Sequence, residues 1–336
     1  MQRKILTIVL GLGLLTCACR QSSNAGKSET QNDTLKYDNA IAPQFNSDSA
    51  YAYVKQQVDF GTRVPGSAGH KKCEKYIVDE LNRHGADTVI LQSAEVTAFN
   101  GDSLPITNIL AQFNRENNYR VLLAAHYDTR PWADNESSDE NRRRPILGAN
   151  DGASGVGVLL EVARLLAEYT PQIGVDLLFV DAEDYGDASG WDRKDDTWCL
   201  GTQYWVGNMP YNQENKPAFG IVLDMVGGLD ARFHREYYSN KHARSLVDKV
   251  WAAGANAGFA DKFINEVGGS LVDDHVFINE AGIPCIDIVE CNNAITRSFP
   301  PTWHTLNDDM SSIDKRSLLA AGQTVLNVLY GERNFR

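Results

Sequence analysis

Carboxylates and histidines follow several apolar segments of this sequence, and these residue types can bind a metal ion and move protons. In the stretch Leu178–Tyr185, a run of apolar residues leads into Asp181, Glu183 and Asp184. An open α/β sheet binds its ligands beyond the carboxyl ends of its parallel strands, so acids at such an end are candidates for a functional site. Neighbouring side chains on a regular strand point to opposite faces, and Glu183 and Asp184 therefore converge only if the backbone turns there.

The same pattern recurs along the chain. Further candidates of this kind are His126, Asp128, Asp151, Asp224, Asp273, His275 and His304. Aspartate oxygens and an imidazole nitrogen suit Zn²⁺ in a catalytic site with an open fourth position, and a carboxylate that is not a ligand suits a general base. Each residue alone has a structural explanation, as a buried histidine or as a helix or turn cap. Their coincidence at the rim of one sheet favours a metal site.

Segments predicted as strands alternate with segments whose apolar residues recur at helical spacing. The predicted strands are 88–96, 106–113, 119–125, 175–180, 219–225 and 285–290, and the predicted helices are 48–58, 70–84, 151–169, 201–206, 241–258 and 311–329. The first two strands are expected to form an edge pair, and Asp48 to cap the first helix. The order predicts an α/β fold, a three-layer sandwich with a mixed, mostly parallel central sheet and helices on both faces.

Composition limits the classes of function. The chain has 336 residues, of which 43% are hydrophobic, enough for one large domain. The formal net charge is -12, which argues against nucleic acid as a partner. The sequence shows no internal repeat and no second block of distinct composition. We therefore expect a single catalytic domain over residues 45–336 and, by default, a monomer.

The N-terminal segment has the pattern of an export signal. Residues 1–19 combine a basic start with an apolar run too short to span a bilayer as a permanent helix, and the run ends in LLTCAC. Small residues before a cysteine are typical of a bacterial lipoprotein signal. Cys19 is the better lipid acceptor and Cys17 the poorer one, and ordinary secretion is the alternative. Residues 20–44 are polar and predict a disordered tether, so the expected protein is exported and anchored to a bacterial membrane, facing the periplasm.

Four cysteines remain in the exported body, Cys73, Cys199, Cys285 and Cys291. An oxidising compartment permits disulfides, with three possible connectivities, and buried free thiols are the alternative. None of the four has the C-x-x-C spacing of a structural zinc site.

Six motifs follow, in order, those of the zinc aminopeptidase superfamily. They are HYD (126–128), GANDGASGVGVLLEVARLLAE (148–168), FVDAEDYG (179–186), LDMVGG (223–228), DDH (273–275) and WHTLNDD (303–309). Within the superfamily the chain most resembles the glutaminyl cyclase branch, the animal-type cyclase also found in some bacteria. The resemblance covers about residues 47–332.

The resemblance implies one zinc ion held by Asp151, Asp184 and His304, with Glu183 as the general acid and base. The implied reaction converts an N-terminal glutamine to pyroglutamate and releases ammonia. The implied partners are exported peptides and proteins that begin with glutamine.

The resemblance also implies residues of the substrate pocket. Asp224 and Asp273 match acidic hydrogen-bond partners that line it, and Trp303 matches a tryptophan of its wall. Trp191 is the candidate for a second pocket tryptophan, although the loop is differently spaced here, and His126 is a further candidate for the pocket.

Two other functions stay open. A two-zinc aminopeptidase would hold a second ion on His126, Asp151 and Asp224, and Glu183 would then activate a metal-bound water. A non-enzymatic binding module on a peptidase-like scaffold is the other alternative, since fold does not imply function. Such a module is expected to have lost ligands or the base, and this sequence retains them.

Overall fold

The structure is a computed structural model that describes residues 42–188 and 194–333. Its strands are β1 (Thr88–Thr97), β2 (Ser103–Phe113), β3 (Arg120–His126), β4 (Gly174–Val180), β5 (Phe219–Leu223), β6 (Phe233–Arg235), β7 (Phe263–Val267) and β8 (Cys285–Ile288). Six of them form one sheet in the order β1-β2-β4-β3-β5-β8, and β6 pairs with β7 separately. β1 and β2 are antiparallel to their neighbours, whereas β4, β3, β5 and β8 are mutually parallel. The predicted mixed, mostly parallel sheet is confirmed.

Helices cover both faces of this sheet. They are α1 (Ser47–Asp59), α2 (Ala68–Arg83), α3 (Asp139–Arg142), α4 (Ala153–Glu168), α5 (Leu200–Gly207), α6 (Tyr237–His242), α7 (Arg244–Gly254), α8 (Asp274–Glu280) and α9 (Lys315–Gly331). Alternate residues of β3 enter two different clusters: Val121 packs in the core that contains α1, α4 and α9. Leu122 packs with Trp205 of α5 and Ile278 of α8. The predicted three layers follow from this alternation.

Two local predictions are wrong and one is confirmed. Asn46, not Asp48, caps α1, because its side-chain oxygen accepts the N–H groups of Asp48 and Ser49. The predicted edge pair is confirmed, because β1 is the last strand of the sheet on this side and pairs with β2, which pairs with β4 on its other side. The predicted helix 241–258 is divided: α6 begins at Tyr237, a non-helical residue at Ala243 separates it from α7, and Gly258 has a positive φ of 91°.

The carboxyl ends of the parallel strands lie at one rim, as the sequence predicts. His126, the last residue of β3, pairs with Val180, the last residue of β4. Leu223 of β5 likewise pairs with Ile288 of β8. The segments that begin at Asp181 and Asp224 therefore leave the sheet beside His126.

The signal segment, Cys19 and most of the predicted tether lie outside the described residues. At the tether's end, Ala42 packs against the core and the Pro43 carbonyl accepts a hydrogen bond from Gln323, so packed structure extends into its last residues. No helix in the described ranges has the length and apolar character needed to cross a bilayer.

Candidate metal centre and substrate cavity

A turn after β4 brings Glu183 and Asp184 to the same site. Ala182 has a left-handed backbone with φ of 47°, which supplies the turn that the sequence requires. The carboxylate of Asp128 then accepts the N–H groups of Glu183 at 3.0 Å and Asp184 at 3.2 Å. Asp128 thereby fixes the backbone of Glu183 and Asp184 and does not engage their side-chain carboxylates.

Asp151 lies at the mouth of α4, immediately before Gly152. Gly152 has φ of 93°, and a Cβ there would lie 2.7 Å from the carbonyl oxygen of Asp128, so only glycine fits this approach. The Asp308 carboxylate accepts the N–H groups of Asn150 at 2.8 Å and Asp151 at 3.0 Å. These hydrogen bonds fix the backbone of Asp151 and so set the direction of its side chain.

His304 reaches the site from the long loop after β8. It has a left-handed backbone with φ of 53°, and its ring stacks on Trp303 at a centroid distance of 3.8 Å and an angle of 25°. The N–H of Asn135 donates to the His304 carbonyl oxygen at 3.1 Å. Stacking therefore holds the ring, and the Asn135 hydrogen bond holds the backbone that carries it.

These elements bring together the predicted ligand set. Nε2 of His304 lies 3.1 Å from Oδ1 of Asp184 and 3.6 Å from Oδ2 of Asp151. Both carboxylate oxygens of Asp184 and Oδ2 of Asp151 are buried and have no hydrogen-bond partner among the described residues. Buried carboxylate oxygens need a partner, and a divalent cation supplies one. Two aspartates and one histidine fit Zn²⁺.

A second ligand set shares Asp151 with the first. Nε2 of His126 lies 3.1 Å from Oδ1 of Asp151 and 3.2 Å from Oδ1 of Asp224. The ligand atoms of each set lie within 4.8 Å of one another. Because Asp151 presents one oxygen to each set, the geometry has room for one ion or two.

Glu183 belongs to neither ligand set. Its carboxylate groups instead with the Cys199 thiol and Asp273, whose ligand atoms also lie within 4.8 Å of one another. The thiol donates to Oε1 of Glu183 at 3.4 Å. An acid that faces the centre without belonging to either set has the position of a general acid or base.

A cavity of about 320 Å³ opens over this centre. Its apolar wall includes Trp198, Leu271, Phe299 and Trp303, and its polar lining includes Asp151, Glu183, Asp184, Asp224, Asp273 and His304. This volume is at the small end of the usual range for ligand sites. The shape therefore suits a single residue or side chain.

Two of the residues predicted for the pocket, Trp191 and His126, are not among the described residues that line the cavity. Trp191, predicted as the second pocket tryptophan, lies outside the described residues, and the structure places Trp198 in the wall. Both tryptophans belong to the polar segment 186–198 of the sequence, and the contact with the cavity is what singles out Trp198. His126, predicted in the pocket, is 2% exposed and lies beneath Asp151 and Asp224, not in the wall.

Burial dominates the electrostatics of the centre. It raises the pKa of Glu183 well above its usual range, with the charge of His126 opposing and that of Asp273 adding to the shift. Burial also raises the pKa of Asp184 to about 7 and that of Asp224 to about 8. Burial and the charge of Arg130 lower the pKa of His304 to about 3, so its ring is neutral, the form that binds metals. A divalent cation would offset the cost of gathering these acids.

The supporting residues were mostly missed by sequence reasoning. Asp308, Arg130 and Cys199 act through contacts with residues far away along the chain, and their local sequence carries no sign of it. The four body cysteines are buried and unpaired in the described structure, which selects the free-thiol alternative.

Comparison with known proteins places this geometry in a family. Residues 108–329 match the sequence pattern of Peptidase family M28. That range includes both ligand sets, Glu183 and the parallel strands. The chain belongs to peptidase family M28, a family of zinc-dependent enzymes.

Similar proteins include both cyclases and peptidases. The glutaminyl-peptide cyclotransferase of Bos taurus is 22% identical over 285 residues, which cover 76% of this chain and 74% of the bovine protein. A crystal structure of Bacteroides thetaiotaomicron glutaminyl cyclase bound to N-acetylhistamine is 49% identical, with a TM-score of 0.84 over 87% of this chain and 100% of that chain. A leucine aminopeptidase precursor from the same organism is also 49% identical, with a TM-score of 0.82 over 87% of this chain and 99% of that chain.

Proposed function

We propose that this M28 chain is a glutaminyl-peptide cyclotransferase, which converts an N-terminal glutamine to pyroglutamate and releases ammonia. One observation carries the proposal. Glu183 and Asp273 lie together in the cavity of about 320 Å³, and neither belongs to the proposed zinc ligand set, Asp151, Asp184 and His304, which lines the same cavity. A pair of acids suits a reaction that moves one proton from an amine to a leaving nitrogen within a single bound residue.

The reaction balances within the substrate. The α-amine nitrogen forms a bond to the side-chain amide carbon, the bond from that carbon to the amide nitrogen breaks, and ammonia leaves. The amine loses one proton and the departing nitrogen gains one. A zinc ion held by Asp151, Asp184 and His304 supplies Lewis-acid polarisation of the amide carbonyl.

Glu183 is placed to carry that proton. Its carboxylate takes the proton from the attacking amine and passes it to the departing nitrogen. Asp273 and Asp224 also line the cavity, and they hold the amine or the amide nitrogen through charge-assisted hydrogen bonds. The raised pKa of Glu183 suits a group that accepts a proton and then returns it.

Aromatic side chains orient the substrate and limit water. Trp198, Phe299 and Trp303 line the cavity, and Phe299 packs on Trp303 at a ring-centroid distance of 4.3 Å. Keeping water away from the amide carbon favours attack by the internal amine over hydrolysis.

A two-zinc aminopeptidase is the second candidate, and a specific observation favours it. His126, Asp151 and Asp224 form a complete second ligand set. With an ion there, Glu183 would deprotonate water for attack on the first peptide bond.

A coupled ammonia assay separates the two. The purified chain is given a glutamine-initiated dipeptide and, in parallel, leucine 4-nitroanilide, each with and without a zinc chelator. Cyclisation predicts chelator-sensitive ammonia release and little anilide cleavage. Anilide cleavage without ammonia release would reject cyclisation in favour of the peptidase.

The expected export also defines the substrates. We propose that they are exported polypeptides whose first residue is glutamine, met by a monomeric enzyme tethered through a lipid on Cys19. Labelled fatty acid should be incorporated into the wild-type chain and not into Cys19→Ala. Equal incorporation in the two would reject the anchor.

A further inference from the structure

Arg130 is a buried cation in contact with the site that the proposed chemistry does not use. It is 1% exposed and lies in the loop after β3. Its Nη1 donates to the carbonyl oxygens of Asp184 at 2.9 Å and Gly186 at 3.2 Å, and its Nε donates to the Asp134 carboxylate. The guanidinium is therefore fixed in orientation against the segment that carries the acid pair.

The same guanidinium lies against two indoles. Its central carbon is 4.8 Å from the ring centroid of Trp198 and 5.4 Å from that of Trp132. A planar guanidinium stacks on an indole face, which an ammonium group cannot do in the same way. Trp198 lines the cavity, so Arg130 packs behind one wall of the cavity.

The segment that begins at Arg130 also holds the opposite loop. The Asp134 carboxylate lies 3.8 Å from Nδ1 of His304. The side-chain amide of Asn135 donates to the Trp303 carbonyl oxygen at 3.0 Å. Residues 130–135 thus contact the acid-pair segment, Trp198 and the Trp303-His304 segment at once.

Burying the charge of an arginine costs free energy unless the guanidinium is paired and hydrogen-bonded. The partners of Arg130 therefore indicate what the buried charge is for. A purely structural arginine needs only the carbonyl and carboxylate partners. The additional stacking on a cavity-lining indole indicates a role at the pocket. The ring of Trp198 is nearly parallel to that of His304, at an angle of 13° and a centroid distance of 6.3 Å.

We propose that Arg130 is a positioning residue that fixes the Trp198 indole and thereby determines how tightly the substrate side chain is held. The inference rests on the proposed function for the identity of that side chain, a glutamine carboxamide. It predicts that Arg130 acts on substrate binding through Trp198. Because Nη1 of Arg130 also lies 3.5 Å from Oδ1 of the proposed ligand Asp184, the variants are compared at saturating zinc and with zinc content measured.

A double-mutant cycle tests whether Arg130 affects substrate binding through Trp198. Arg130→Met, Trp198→Leu and the double variant are compared by KM, kcat and zinc content. In the wild-type background, Arg130→Met should raise KM about tenfold or more. In the Trp198→Leu background, the same substitution should lower kcat/KM by less than about twofold, because the indole that it acts through is already gone. Arg130→Lys keeps the charge without the planar fork and should behave like Arg130→Met. Additive losses, or full activity with lysine, would overturn the proposal.

A second readout needs no substrate and no metal. The chain is labelled with 5-fluorotryptophan, and the ¹⁹F resonance of Trp198 is assigned by its loss in Trp198→Phe. In Arg130→Met that resonance should shift or broaden, while those of the buried Trp205 and Trp251 stay in place. An unmoved Trp198 resonance, or equal movement of all three, would overturn a local positioning role.

The two proposals fail in distinguishable ways. If the wild-type chain releases no ammonia and cleaves leucine 4-nitroanilide, cyclisation is rejected. The mutant cycle is then run on the anilide, and the ¹⁹F result keeps its meaning.

Discussion

The thiol of Cys199 donates a hydrogen bond to Oε1 of Glu183 at 3.4 Å. Burial raises the pKa of this thiol well above its usual range, and the charges of Asp274 and Glu183 add to the shift. The thiol is therefore neutral at physiological pH and acts as a weak donor to the proposed acid and base, not as a nucleophile.

Cys199→Ala should lower kcat modestly with KM nearly unchanged. A neutral hydrogen bond contributes about 0.5–1.5 kcal/mol, which corresponds to a loss of about two- to tenfold. Cys199→Ser, which keeps a donor, should recover part of the loss. Cys73→Ala is the control, because Cys73 is equally buried and makes no contact with Glu183 in the described structure. Full activity of Cys199→Ala would show that the donor is dispensable.

Asp308→Ala should weaken zinc binding although Asp308 belongs to neither ligand set. Its carboxylate accepts the N–H groups of Asn150 and Asp151, and loss of such a support typically costs about 10–100-fold in metal affinity. Asp309→Ala is a matched neighbour, since Asp309 caps only the short turn at Ser311. Competitive titration with a zinc-binding dye measures both. Equal affinity in the two variants would contradict the supporting role.

Gly152→Ala should destabilise the chain more than Gly85→Ala. Both glycines have positive φ, but nothing lies within 4 Å of a Cβ at Gly85, whereas one at Gly152 meets the Asp128 carbonyl oxygen at 2.7 Å. The left-handed backbone alone costs about 1–2 kcal/mol, and the clash adds to it only at Gly152. Thermal unfolding of the two variants, with zinc content measured alongside, checks this. Equal melting temperatures would contradict the prediction, because they would mean that the backbone at the start of α4 shifts without cost to remove the clash.

His70 and His84 should contribute to stability with opposite pH dependence. Burial lowers the pKa of His70, but its hydrogen bond to Asp181 and that carboxylate's charge outweigh burial and raise it overall. Its contribution is complete below the unfolded value of about 6.5 and is lost as the pH rises through the folded value. Burial and Arg83 lower the pKa of His84, so its contribution is lost as the pH falls.

Urea unfolding at pH 5.5 and 8.5 measures this difference. The destabilisation caused by His70→Gln should be larger at pH 5.5, and that caused by His84→Gln larger at pH 8.5. Comparing each variant with the wild type at the same pH cancels the effect of metal binding. The same trend in both variants would contradict the assigned directions.

The sheet and its rim could be predicted because the signals are local. The run Leu177–Val180 is apolar on both faces, as a buried parallel strand requires, and it leads through Asp181 and Ala182 into the acid pair. The need for a turn between strand and acids followed from strand geometry, and the left-handed Ala182 supplies it.

What escaped prediction depends on contacts distant in sequence. Trp198 and Trp191 belong to one polar loop, and only the folded chain shows that Trp198 lines the cavity. The sequence around Asp308 is that of an ordinary acidic turn, and only the structure shows that its carboxylate accepts the N–H of Asp151. The two-stranded sheet of β6 and β7 was missed because its strands are too short to show an alternating pattern.

Ammonia release by Glu183→Gln, assayed with saturating zinc, tests the central claim most directly. Because Glu183 lies outside both ligand sets, the variant should bind as much zinc as the wild type and release ammonia from a glutamine-initiated dipeptide at least about a thousandfold more slowly. Asp184→Ala, which removes a proposed ligand, should lose both zinc and activity. Ammonia release near the wild-type rate by zinc-loaded Glu183→Gln would contradict the account.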